Sequence, residues 1–153
     1  MKGMLAALAL WLFAPGAFAE IGTPVQNSST GHWYAINDEP LPWVSARQAA
    51  EAASHNGWSG HLATIGSETE NLWILQYLDF QDNGSAWIGG FQPPEAAEPD
   101  KGWQWVTQEE WSYERWAPGE PNDQGGEDAL ELSIARGGGW NDLDAAQPRI
   151  SVI

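Results

Sequence analysis

The sequence predicts an α+β fold in which two helices flank small antiparallel sheets and one long loop interrupts the pattern. Three observations support this. Trp43, Ala46, Ala50 and Ala53 recur at three- and four-residue spacing in an Ala-rich run to about His55. Ser67-Glu68-Thr69-Glu70 is a capping box that starts a second helix. The remaining apolar segments are short and bounded by Gly, Pro, Asn and Asp, which is the signature of strands and turns.

Taken in order, residues 1–19 resemble a secretory leader. Lys2 is followed by an apolar run from Met4 to Phe13, and Ala17-Phe18-Ala19 is a small-x-small cleavage site. The run is too short to span a bilayer, so the expected location is secreted or periplasmic, with cleavage after Ala19 and no membrane span. Glu20 to Ser29 is a polar, mobile lead-in; the flexible stretch is drawn to residue 30 and the domain proper from 31 to 153. Gly31 to Ile36 is a first strand and Asn37-Asp38-Glu39-Pro40 a turn. Asn56-Gly57 closes the first helix. His61 to Ile65 is a short strand. Leu72, Leu75, Gln76 and Leu78 continue the second helix, with Trp73 and Tyr77 four apart as a packed pair, and Asp82-Asn83-Gly84 lies beyond its end. Ala86 to Gly90 is a buried strand, Gln92 to Lys101 a loop, and Trp103 to Val106 another strand. From Thr107 to Glu127 neither period holds. A loop of this length in a compact domain is functional or disordered, and Trp111, Tyr113 and Trp116 argue for order. Ala129 to Ile134 alternates as a strand, Arg136 to Gly139 turns, Trp140 starts a strand or turn edge, and Ile150 to Ile153 is the last strand.

The chain has 153 residues, a formal net charge of −15, no Cys and 11 Trp. The acidity argues against nucleic acid, whose recognition rests on Lys and Arg, and suits cations and neutral ligands. Without disulfides the domain must stand on its core, to which large aromatics contribute much buried area.

Oxygen ligands crowd between Glu120 and Asp144. Glu120, Asn122, Asp123, Glu127, Asp128, Asn141, Asp142 and Asp144 all fall there, with no Cys and no His among them. Hard oxygen donors in this number suit Ca2+, which takes six to eight of them. The three His residues have no zinc spacing. Gly137 to Leu143 fails the calcium nonapeptide repeat because Trp140 replaces a glycine and there is one copy, and no EF-hand pattern fits. Glu120 and Glu127 could be paired as glycosidase carboxylates. Their neighbours are amides and further carboxylates, which suit a cation better than an acid kept neutral in an apolar pocket. The expectation is therefore no catalysis.

The landmarks Trp33-Tyr34, Trp43 with Ala46, Gly60 to Ile65, Glu68 with Glu70 and Asn71, Trp87-Ile88-Gly89-Gly90, Trp105-Val106-Thr107, Tyr113 with Trp116, Gly119-Glu120-Pro121-Asn122 and Trp140-Asn141-Asp142 come in an order that resembles the C-type lectin-like domain family, from about His32 to Ile153. The resemblance implies that Glu120, Asn122, Asn141 and Asp142 ligate a main calcium ion, with a fifth ligand at Glu127 or, in competition, Asp128. It implies a cis Glu120–Pro121 bond. It also implies that a sugar binds the ion through two vicinal hydroxyls, which hydrogen-bond the same side chains. Glu-Pro-Asn in place of Gln-Pro-Asp implies mannose, glucose or N-acetylglucosamine type ligands over galactose. A second calcium would involve Asp123, Asp128 and Asp100, with a further ligand from Glu98 or Glu95; as ordinary residues these are solvated loop acids. The expected partner is a mannose-type glycan or a glycoprotein. The competing expectation is a protein-interaction module with structural calcium or none. The family's disulfide positions fall on Ala50, Ala129, Ala145 and Ile153, so the bridges are absent.

Overall fold

The computed structural model describes residues 21–78 and 84–153. The leader at 1–19, Asp82, Asn83 and the side chain of Tyr77 lie outside the described residues. The order is β1 (Val25–Gln26), β2 (Trp33–Tyr34), β3 (Ile36–Leu41), α1 (Trp43–Ala52), β4 (Ser54–His55), β5 (Trp58–Ser59), α2 (Glu68–Tyr77), β6 (Ser85–Phe91), β7 (Gln104–Trp105), β8 (Ala129–Ser133), β9 (Gly139–Leu143) and β10 (Arg149–Val152). The main sheet runs β3-β10-β6-β8-β9, with β7 also on β6. All its pairs are antiparallel except β10 on β6, where Ser151 faces Trp87. Two small sheets complete the fold, β1 with β2 and β4 with β5. The α+β architecture with two helices is the expected one.

Several boundaries differ. Asn37 to Pro40 is no turn but part of β3, an edge strand, where a proline costs no ladder hydrogen bond on the solvent side. The lead-in is ordered: Val25 and Gln26 form β1, Ile21 bridges to Asn37, and Asn27 is fully buried. Helix α1 ends at Ala52 rather than His55. Asn56 (φ 51°) and Gly57 (φ 84°) are both left-handed and make the two-residue turn of the β4–β5 hairpin. His61 to Ile65 forms no ladder long enough for a strand. It runs extended, with Ala63 N–H on the Val152 carbonyl at 2.9 Å and the Ala63 carbonyl receiving Gly89 N–H at 2.8 Å. That approach needs the glycine, because a Cβ at 89 would lie 2.7 Å from the Leu62 carbonyl oxygen.

Two apolar clusters lie against the main sheet. Ile74 of α2 and Leu78, the residue just past its end, join Ile88, Leu130, Leu132, Trp105 and Trp140 in one. Trp43, Ala46 and Ala50 of α1 pack with Leu62, Trp87 and Ala129 in the other, with Ala145 and Ile153 at its margin. The four positions where the resemblance puts half-cystines thus all fall in or against one apolar cluster. Indole N–H groups find carbonyls, Trp43 on Ile88 at 3.0 Å and Trp87 on Leu41 at 2.9 Å. On α2, Ser67 caps through Glu70 N–H at 3.2 Å as the capping box requires, but Leu72 is exposed and the buried face is Glu70, Asn71, Ile74 and Leu78. Glu70 accepts from Gly66 N–H and from the Tyr34 hydroxyl, and burial followed by that carboxylate pushes the Tyr34 phenol far up from its ordinary value.

The long loop is ordered by its aromatics. Trp111, Tyr113 and Trp116 stand 5.7, 5.5 and 6.1 Å from the Trp140 ring. Trp140 N–H binds the Arg115 carbonyl at 2.7 Å, and Ala117 N–H binds the Trp140 carbonyl at 2.8 Å. The loop is therefore tied to β9 before it reaches Glu120.

Candidate functional site

Strand β9 carries Asn141 and Asp142, opposite Glu131 and Leu130 of β8. Asp142 is fully buried. Its carboxylate accepts Asn122 N–H at 3.1 and 2.9 Å and Asp123 N–H at 2.7 Å. These bonds fold the tip of the loop onto the sheet, so Glu120-Pro121-Asn122 and Trp140-Asn141-Asp142 meet across the intervening hairpin. The Glu120–Pro121 bond is cis, as expected; Glu98–Pro99 is cis as well.

Each expected ligand has a defined partner. The Glu120 side chain is 6% exposed and its carboxylate touches the Asn122 amide and the Arg136 guanidinium. The Asn141 amide nitrogen donates to Glu131 Oε1 at 3.2 Å, which turns its oxygen away from Glu131; Arg149 Nε holds the other Glu131 oxygen at 2.9 Å. Glu127 accepts Gln124 N–H at 3.0 Å, while its own N–H donates to Asp123 Oδ1 at 2.9 Å. Burial, then the charges of Asp142, Glu120 and Asp123, push the Glu127 carboxyl up against the pull of the Gln124 N–H. Burial is also the main cause of the raised Asp142 carboxyl; the backbone N–H bonds from Asp123 and Asn122 oppose it and Glu120 adds to it. Negative charge is thus concentrated where the two motifs meet.

Carboxylates alone do not enclose an ion: among the described residues no three Asp, Glu, His or Cys side chains are gathered for one. A calcium ion here would need the amide oxygens of Asn122 and Asn141 beside Glu120, Glu127 and Asp142, and Glu120 would exchange Arg136 for it. The donor set is all oxygen, carries three carboxylates, and fits calcium chemistry.

The residues of the second group have partners of their own. Asp100 is exposed and paired with Lys101 at 2.8 Å, which holds its carboxyl low. The upstream acid that senses the others is Glu98, raised by burial and then by Asp123 and Asp128. Asp123 is left-handed (φ 47°), and the Asp128 carbonyl holds Gln92 N–H at 2.9 Å. Asp144 accepts Ala146 N–H at 2.9 Å in the turn after β9.

Two residues of the site escaped the sequence reading, Arg136 and Glu131. Glu131 interrupts an apolar strand, Ala129-Leu130-Glu131-Leu132, and a buried acid there signals a buried partner. Nothing local marks Arg136.

Residues 39–152 match the family model described as the lectin C-type domain. The chain belongs to the C-type lectin family. Among its relatives is halomucin of Haloquadratum walsbyi, 35% identical over 126 residues, which covers 73% of this chain and 1% of halomucin. The chain spans less than two thirds of the length of the curated relatives it first matches. A solved carbohydrate-recognition domain of cow CD23, determined in the presence of a GlcNAc2Man3 oligosaccharide, superposes with a TM-score of 0.65 at 26% identity, covering 78% of this chain and 84% of that one. A calcium-independent type II antifreeze protein superposes with a TM-score of 0.62 at 26% identity, covering 85% and 93%. As a C-type lectin domain the chain is a lectin-like module. Among the described residues no helix is long and apolar enough to cross a membrane.

Proposed function

We propose that this C-type lectin domain is an exported, calcium-dependent carbohydrate-binding module of mannose type, without catalytic activity. The observation that carries the reading is the set of hydrogen bonds from Asn122 and Asp123 N–H to the buried Asp142 carboxylate, which bring Glu-Pro-Asn and Trp-Asn-Asp together. In this reading Glu120, Asn122, Glu127, Asn141 and Asp142 hold the main ion. The ion supplies open coordination positions for two sugar hydroxyls, and the side chains hold the hydroxyl protons: carboxylates accept them and amide N–H groups donate back. Glu98, Asp123 and Asp128 are the acids available to a second ion, with Asp100 displaced towards Lys101. Removal of residues 1–19 on export completes the proposal; the N-terminal sequence of exported protein tests it.

The test of the site is retention on mannose resin in calcium with release by chelator. Galactose resin should retain little. Glu120→Gln with Asn122→Asp should shift preference towards galactose, and unchanged selectivity tells against sugar ligation at this ion.

A second reading keeps the fold but assigns calcium a structural role or none, with a protein surface as ligand. The Arg136–Glu120 ion pair favours it, because Glu120 then has its counter-charge without a metal. Arg136→Ala separates the two: stronger calcium binding together with stronger retention on mannose resin supports the lectin reading, and stronger calcium binding without retention, or loss of stability with no calcium response, supports the other.

A further inference from the structure

The β4–β5 hairpin displays an aromatic face that the calcium site does not use. Trp58 is 79% exposed and Trp33 43% exposed, the two exposed tryptophans among the described residues. His55 lies between them in structure. It faces Trp58 across the hairpin, and its ring is 4.5 Å from that of Trp33 on β2. The left-handed Asn56-Gly57 turn and the bond from Gly60 N–H to the Ala53 carbonyl at 2.9 Å hold the hairpin in shape. These side chains border a groove of about 700 Å³ that runs past Ser54, Ser59 and Thr64. Large apolar groups exposed to water at this density mark a binding surface.

The charge of the groove indicates what it takes. In a chain of net charge −15 the side chains of its lining include one carboxylate, Glu109, and no Lys or Arg. The chain's three His residues, His32, His55 and His61, also line it, so an anionic ligand would find no permanent cation and a cationic one little attraction. Flat indole faces bordered by hydroxyls match a ligand with an apolar C–H face and a hydroxyl rim, and the volume is that of an oligosaccharide rather than an ion. Rigid aromatics lose little entropy on binding.

We propose that this groove is a second, calcium-independent binding site for a neutral glycan chain, with Trp58 and Trp33 as stacking platforms and His55 as the group that fixes Trp33 beside the hairpin. It shares no residue with the β8–β9 site, so one molecule can hold a glycan at two places and gain avidity without new contacts.

The full chain in chelator, titrated with cellohexaose and with β-1,4-mannohexaose by calorimetry and tryptophan fluorescence, tests this. Saturable binding of either is expected, weakened at least tenfold by Trp58→Ala. The melting temperature of that variant should be unchanged, since the side chain contributes almost no core. Asp142→Ala should keep this chelator-resistant binding while losing calcium-dependent retention, so failure of one site is distinguishable from failure of the other. Binding of neither hexasaccharide overturns the proposal, as does binding that Trp58→Ala and Trp33→Ala both leave intact. A concentration-dependent dimer dispersed by Trp58→Ala also overturns it, assigning the groove to a second copy of the chain.

Discussion

Asp142 has one structural job and one proposed job for a single carboxylate. It is an expected ion ligand, and it also staples the loop to the sheet through the N–H groups of Asn122 and Asp123. Asp142→Ala should therefore abolish the calcium response and also cost about 1–3 kcal/mol in calcium-free protein, because two donors lose their acceptor; chemical denaturation in chelator measures the second effect alone. Acidity acts on the same group. Asp142 and Glu127 are raised above their ordinary values of 3.8 and 4.5. The calcium-free folded state thus holds these protons more tightly than the unfolded chain. Their contribution to stability is full below the ordinary values and is lost as pH rises through the raised ones. In the proposed site calcium would need both groups ionised. Its affinity should begin to fall on acidification at a higher pH than ordinary carboxylates dictate, with proton release on binding that calorimetry in two buffers detects. That Glu120 and Asn122 stand near Asn141 and Asp142 was legible in the sequence because each motif is a local string. Arg136 was not, because its partnership with Glu120 is made only when the hairpin closes.

Elements were legible where local chemistry and tertiary context agree. Helix α2 begins at the Ser67 capping box, and the strand Ala86 to Gly90 lies within β6. Agreement failed where two local signals compete. Asn56-Gly57 closes a helix or turns a hairpin equally well, and the pairing of His55 with Trp58 decided for the hairpin. Asn37 to Pro40 has turn composition, yet β10 offers Ser151 opposite Asn37 and draws the segment into the sheet. Two variants probe these junctions. Glu70→Ala removes the acceptor for Gly66 N–H and the Tyr34 hydroxyl and should cost about 1–3 kcal/mol in urea denaturation. Gly89→Ala puts a methyl group against the Leu62 carbonyl and the Val106 side chain and should cost a similar 1–3 kcal/mol or more, since backbone cannot step aside as a side chain can.

At the scale of the molecule, the loop, β8 and β9 form one unit whose charge is poorly compensated without a cation. Calcium should raise the melting temperature with increasing concentration; at a hundredfold excess over Kd the gain is about 2.7 kcal/mol. The change should also appear in tryptophan fluorescence, because Trp140 adjoins Asn141 and contacts Trp105, Trp111 and Trp116. No shift in either signal at millimolar calcium tells against the lectin reading and for a calcium-free binding module. The fold class was readable from periodicity and from the order of motifs. The aromatic groove was not, because Trp33 and Trp58 look like core residues in a chain with 11 Trp, and only their placement on two small hairpins exposes them.

The apolar cluster that takes in Ala50, Ala129, Ala145 and Ile153 bears on how the protein matures. With no thiol in the chain, folding has no oxidation step to wait for and no wrong pairing to undo. The domain should reach the same state in a reducing cytoplasm as outside the cell, and dithiothreitol should leave its melting curve unmoved.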